Sequence, residues 1–247
     1  METLTPLIIA TAGVCTFMIG LSKGGLGGMA GPLITALMAL VIPGDQVLGL
    51  VLPLLIAGDV FAVAAHWKNW ERRLVVLLVP GAVLGVSAAT FFLTRLSNSA
   101  LRRALAVIIL IFIAAKLFEG SLSISRKAAA RGWVGTIAGS VAGFTSTLAH
   151  AGGPPVTIYL LMQDLTPTTF VATSALFFMA LNWIKVPYYL FAGLFDFELL
   201  RNFLWLLPLL PAGVLSGKWL VKRVGKQPFE IIIYLLLTLS AVLLLIK

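Results

Sequence analysis

Apolar residues run through this chain in long blocks, and the breaks between blocks carry its polar and glycine residues. A membrane-spanning helix needs about 20 mostly apolar residues. Six blocks come close to that length: 47–65, 74–93, 101–118, 170–190, 203–221 and 229–246. Four shorter apolar pieces remain, 6–21, 29–42, 133–149 and 154–162, and they fall into two pairs, each meeting at a glycine-rich break. The pattern predicts an all-α integral membrane protein, a polytopic helical bundle. It has about ten membrane helices or helix segments if each short pair is two crossings, and about six crossings if each pair is a re-entrant hairpin.

The order of features repeats. Gly31-Pro32 stands in the same context as Gly153-Pro154, Asp59 then lines up with Asn182, and the run from Pro80 to Gly85 lines up with the run from Pro211 to Ser216. We read residues 1–122 as a first membrane repeat and 132–247 as a second, within one transmembrane domain. Three loops are basic: Lys68, Arg72 and Arg73; Arg126, Lys127 and Arg131; Lys222, Arg223 and Lys226. The positive-inside tendency places these in the cytoplasm, with Arg95, Arg102, Arg103, Arg201 and Lys247, the acidic loop of Asp196 and Glu198, and both termini on the other side. Arg102 and Arg103 count against that vote. Either way of drawing the short pairs gives each half an odd number of crossings, so the repeats are expected to be inverted. Inverted repeats with broken helices recur among transporters, with the site between them near the midplane.

Composition strengthens the membrane reading. Of 247 residues, 60% are hydrophobic and 11% charged, against about 25% charged in soluble domains. The net charge of +9 is read as loop charge beside an anionic leaflet rather than as a nucleic-acid footprint; no nucleic-acid partner is expected. Cys15 is the sole cysteine, so no internal disulfide can form. The start, Met1-Glu2-Thr3-Leu4, lacks the basic segment of a signal peptide, so the first apolar run is expected to remain in the membrane. No cofactor or metal is expected.

The breaks hold the candidate chemistry. The first, residues 20–32, contains Gly20, Ser22, Lys23, Gly24, Gly25, Gly27, Gly28, Gly31 and Pro32; the second, residues 143–155, contains Gly143, Thr145, Ser146, Thr147, His150, Gly152, Gly153, Pro154 and Pro155. Such density weakens a helix and frees backbone polar groups. In a bilayer these survive only against protein or a water-lined cavity, and a new helix N-terminus suits an anion. The competing reading is close packing through Gly-x-x-x-Gly, a spacing met by Gly20/Gly24 and Gly24/Gly28. The first break is no phosphate-binding loop, since the Gly-Lys-Ser/Thr order is missing.

Ionisable groups inside apolar runs cost about 2.5 kcal/mol or more each, so they need partners, water or substrate. Asp59, Lys23 and Lys185 are of this kind. Lys23 and Lys185 can attract an anion; Asp59 can balance one lysine or carry a proton, and His150 can donate to an anion or take a proton. For Lys185 the alternative is snorkelling beside Pro187, and for His150 a neutral packed ring. Lys116 and Lys218 are read as snorkelling near helix ends, and the six tryptophans as interface anchors or packing.

The two glycine-rich motifs, with the run from Leu52 to Asp59 followed by His66-Trp67, resemble those of the TauE/SafE sulfite exporter family of membrane permeases. So do the run from Ala149 to Leu161 and the run from Phe177 to Lys185, which is followed by Pro187-Tyr188. Ser22, Lys23, Leu26 and Met29 interrupt the family's commoner uninterrupted glycine run. The resemblance implies movement of sulfite, sulfonates or related compounds across the bacterial inner membrane by a multi-pass protein. The leading expectation is a secondary transporter, an exporter, for a small sulfur-containing anion and not an enzyme. Ser22, Lys23, Gly24, Gly25, Gly27, Gly28, Thr145, Ser146, Thr147, His150, Gly152, Gly153, Asn182 and Lys185 are the expected substrate-binding set, and Asp59 and His150 the candidates for proton coupling. The alternatives are a passive anion channel and, third, an intramembrane hydrolase built on Ser146 and His150, for which no Gly-x-Ser-x-Gly elbow exists. The oligomeric state stays open.

Overall fold

The computed structural model describes residues 6–39, 41–42, 44–93 and 132–224, with positions 228, 231, 235, 238 and 242 beyond them. The expected span 101–118, nearly all of 229–246, and Arg95, Arg102, Arg103, Lys116, Arg126, Lys127, Arg131, Lys226 and Lys247 lie outside the described residues.

Every regular element among the described residues is helical: α1 (Pro6–Gly25), α2 (Gly31–Met38), α3 (Gly44–Ala65), α4 (Arg72–Leu93), α5 (Gly132–Ala149), α6 (Gly153–Leu161), α7 (Pro167–Phe191), α8 (Phe197–Phe203) and α9 (Leu209–Arg223). Helices Pro6–Gly25, Gln46–Ala65, Arg72–Phe92 and Pro167–Phe191 are long and apolar enough to cross a membrane, and a bent pair, Phe197–Leu206 with Leu209–Arg223, adds a fifth candidate. Two expectations change. The piece 6–21 runs on unbroken to Gly25 and is span-length by itself. The block 203–221 is not one straight span: after α8 the chain makes a 3-10 turn at Leu204–Leu206 and its axis swings by 55° into α9. Pro208 and Pro211 carry no N–H, so a continuous helical ladder fails there while both fit the start of a new helix.

Glycine sets the closest helix pairs. α1 lies along α9 and α5 along α4. A methyl group on Gly25 would stand 2.5 Å from the Gly217 carbonyl oxygen and 2.7 Å from its Cα, and one on Gly143 would stand 3.0 Å from Ala82 Cα. Gly20, Gly24, Gly81, Gly85 and Gly139 meet facing backbone in the same way. Small residues let backbones approach where lipid offers no hydrophobic drive for association. Gly13, on the same helix as Gly25, has only leucine side-chain ends nearby, 3.8 Å and 3.9 Å from a built methyl. Gly25→Ala should therefore cost about 1–3 kcal/mol by forcing backbones apart, whereas Gly13→Ala should be neutral or stabilising by up to about 1 kcal/mol. Thermal unfolding of the two variants in detergent checks the contrast; equal midpoints would contradict it.

α3 and α7 pack against each other where the breaks lie; α7 meets members of both close pairs, and α3 meets α1 and α9. Two buried apolar cores flank that contact. One gathers Leu78, Ala82 and Val86 of α4 with Ala142, Val156, Tyr159 and Phe177; the other gathers Ala12, Cys15 and Ile19 of α1 with Ile34, Met38, Leu50, Val51 and Leu210. At one end of the bundle Lys218 donates to the Ala65 carbonyl, so the loop holding Lys68 and the basic end of α9 share an end. Lys218 thus finds a helix-terminal carbonyl. Trp67, Trp133, Trp183, Trp205 and Trp219 are all well exposed on the protein surface, as interface anchors would be.

Candidate functional site

The first break runs from the end of α1 to the start of α2. Gly27 (φ +63°) and Gly28 (φ +76°) turn the chain through the left-handed region that glycine tolerates. Ser22 holds this turn: its carbonyl accepts the N–H groups of Leu26 (2.9 Å) and Gly28 (3.0 Å), and its Oγ accepts the Ala30 N–H (3.1 Å). The second break turns at His150, a non-glycine residue at φ +52°. The Ala151 N–H donates to the Thr145 carbonyl (3.2 Å), and the single Thr145 hydroxyl proton is shared between the Val141 (2.8 Å) and Ala151 (3.0 Å) carbonyls. Both breaks are thus tied by the hydroxyl residue at their helix end.

The breaks also touch each other. A methyl on Gly31 would collide with the His150 carbonyl, and one on Gly153 would lie 2.8 Å from Met29 Cα. Gly27 packs under the Phe170 ring, Gly28 under Phe178, and Gly152 against Ser146 and Phe178. Gly24 and Gly25 face α9 instead. The first motif therefore divides: Gly20, Gly24 and Gly25 serve helix packing, while Gly27 and Gly28 make the break.

Two polar clusters sit where α3 and α7 pass the breaks. In the first, Lys23 Nζ lies 2.6 Å from Asp59 Oδ1, and Asn182 Nδ2 donates to Asp59 Oδ2 at 2.6 Å. The Lys23 ammonium also stands 4.5 Å from the centre of the Phe178 ring. In the second, Lys185 Nζ donates to Ser146 Oγ (3.0 Å), to the Ser146 carbonyl (3.4 Å) and to His150 Nδ1 (3.1 Å). Nε2 of His150 lies 3.2 Å from the Leu48 carbonyl. A carbonyl only accepts, so Nε2 carries the proton and Nδ1 is the bare acceptor that Lys185 meets. That arrangement is a neutral imidazole. Asp59 and Lys185 are 0% exposed, Asn182 1% and Lys23 3%. Lys185 therefore does not snorkel. Thr147 turns its hydroxyl back to the Gly143 carbonyl (2.8 Å), and its own carbonyl accepts from Tyr189 (2.7 Å).

The expected residues are thus sorted into three groups. Lys23, Asp59 and Asn182 form one cluster, and Ser146, His150 and Lys185 the other. Ser22, Thr145 and Thr147 use their hydroxyls on the backbone. Pro154 and Pro155 in the first turn of α6 leave few N–H groups at that helix start.

Sequence reasoning passed over three residues. Tyr189 places its ring 5.6 Å from Lys185 Nζ. Phe178 lies under Lys23. His66, wholly buried, donates from Nε2 to the Gly24 carbonyl at 2.7 Å, closing the end of α1. Burial is the main reason its pKa lies below the ordinary value, and Lys218 and Lys222 push the same way. Tyr189 follows Lys185 by one helical turn, a spacing readable in the sequence; the other two contacts carry no such signal.

The protein family described as Sulfite exporter TauE/SafE matches residues 9–244 of the 247. No curated protein and no solved structure gives a significant match.

Proposed function

The chain belongs to the sulfite exporter TauE/SafE family, and we propose that it is a secondary transporter that exports a small sulfur-containing anion, sulfite or an organosulfonate, across the bacterial inner membrane. The observation that carries this is the charge of the buried centre. Asp59 answers Lys23, whereas Lys185 has three neutral acceptors and, among the described residues, no carboxylate paired with it. An uncompensated cation at membrane depth is costly, and an anion is what would balance it. Ser146, His150, Gly152 and Lys185 would hold the cargo.

Alternating access would come from one repeat, residues 1–122, rocking against the other, 132–247, with the breaks in contact at the pivot. The exchange of partners between halves supports the duplication: α1 packs on α9 as α5 packs on α4, and the aligned Asp59 and Asn182 bond to each other across the centre. An inside-negative potential already favours anion exit, by about 2.3 kcal/mol per charge per 100 mV. Coupling to protons, if present, would fall to Asp59 or His150. A hydrolase is disfavoured because His150 is oriented by a carbonyl, not an acid, and Ser146 Oγ accepts from Lys185.

The test is sulfite flux in proteoliposomes under an imposed potential and pH gradient. We expect concentrative movement that falls at least about tenfold in Lys185→Met and His150→Ala. Flux that only ever runs downhill would favour a channel, and flux indifferent to both substitutions would remove this site.

A further inference from the structure

Among the described residues, nothing donates to the side-chain oxygen of Asn182. Its Nδ2 donates to Asp59 Oδ2 at 2.6 Å, and Asp59 is paired with Lys23 and so is a carboxylate that only accepts. The amide cannot be turned over without setting oxygen against oxygen. Its orientation is therefore fixed, and Oδ1 points away from Asp59. Oδ1 is buried, and no donor reaches it among the described residues. The cationic neighbours are committed: Lys23 stands on Asp59, and Lys185 gives its N–H groups to Ser146 and His150. Of the other buried polar atoms without hydrogen-bond partners, those of Ser174, Thr157 and Tyr159 belong to hydroxyls that can act either way, Asp59 Oδ1 stands against Lys23, and His66 Nδ1, a second bare acceptor, sits apart by the end of α1. Asn182 Oδ1 can only accept, so whatever completes it must bring a hydrogen.

Asn182 precedes Lys185 by three residues on α7, a spacing that sets side chains on one face with Cβ atoms about 5–6 Å apart. An anion seated on Lys185 could therefore present a donor toward Oδ1 along that shared face. Lys23 is offset by Asp59 and His150 is the neutral tautomer, so Lys185, protonated when an anion is seated on it, would give the centre one positive charge in excess. A monoanion balances it; a dianion overshoots.

We propose that Asn182 Oδ1 is a specificity-determining acceptor, and that the site selects singly charged sulfur oxyanions bearing their own O–H donor over equally charged ones without it. This rests on the transporter reading above and names its substrate class. The donor can be the acid hydroxyl of hydrogensulfite or the alcohol of a hydroxyalkanesulfonate; both present the same chemistry to Oδ1. An amide left unpaired by the wrong ligand is what gives a hydrogen-bonding site its discrimination.

The experiment is calorimetric binding to the purified full-length protein of hydroxymethanesulfonate against methanesulfonate, which differ by one hydroxyl and carry one negative charge each. Hydrogensulfite as a third ligand shows which source of the donor is preferred. Hydroxymethanesulfonate should bind at least about tenfold more tightly than methanesulfonate. Asn182→Leu should bring the two within about twofold, while the wild-type ratio alone decides the matter if that variant fails to fold. Equal binding of the pair to the wild type overturns the inference, since water then satisfies Oδ1. If that equal binding is lost in Lys185→Met, the anion site survives and only the selectivity falls. If none of the three ligands binds, the transporter reading of this site falls with it.

Discussion

Lys185→Met should reduce sulfite flux in proteoliposomes by about 100-fold or more while the protein still purifies as a folded species. Methionine keeps the length and apolar stem of lysine and removes only the ammonium. In the present arrangement that ammonium makes three hydrogen bonds to neutral acceptors in a site with no access to solvent. Folding loses little, because Ser146 Oγ can turn to another acceptor and the imidazole loses one donor. The cargo loses the buried lysine that, among the described residues, has no carboxylate against it. Truncating one side of a buried charge pair costs about 2–5 kcal/mol, which sets the scale of the expected loss. Lys185→Arg should recover little, since a planar five-donor fork does not fit the positions that a compact ammonium reaches. Full flux in Lys185→Met would show that the buried charge has no part in moving the anion.

Asp59→Ala should destabilise the protein by about 3–5 kcal/mol, for it leaves Lys23 buried without a counter-charge. Lys23→Met should cost a similar amount by stranding Asp59. The double variant, Lys23→Met with Asp59→Leu, should recover most of the loss, because a buried pair replaced by apolar groups of similar volume is often close to neutral. Thermal unfolding of the three variants completes a double-mutant cycle. Two single losses that simply add would mean that the 2.6 Å contact between these side chains contributes no coupling. The cycle also separates the two lysines. Lys23 would appear as a stability residue and Lys185 as a transport residue, although the sequence presents them as equivalent intramembrane cations.

That equivalence marks how far the sequence can be read. Helices and their ends were legible because apolar runs, prolines and glycine breaks are local signals; α3, α4 and α7 fall close to the expected blocks. The bend before α9 was less so, since Pro208 and Pro211 sit in a run apolar enough to pass as one span. The polar centre was legible in its members and not in its pairings. Asp59 had two lysines to choose between, and the choice depends on how α1 and α7 cross α3, which no local pattern encodes. Ser22, Thr145 and Thr147 show a second limit. A hydroxyl beside a break reads as a ligand, but a break also exposes backbone groups of its own, and the nearest hydroxyl satisfies them first. Gly24 and Gly25 look the same in sequence as Gly27 and Gly28; only the position of α9 divides packing from turning.

The exchange of close partners between halves bears on how the chain is made. Among the described residues, the glycine face of α1 meets the backbone of α9, near the far end of the described chain. α4 meets α5 likewise. A ribosome-bound nascent chain that has delivered only its first half to the bilayer therefore holds two unfinished glycine surfaces and a lysine whose environment is incomplete. Assembly is therefore expected to finish late, and a truncated product should be short-lived, an easy target for membrane quality-control proteases.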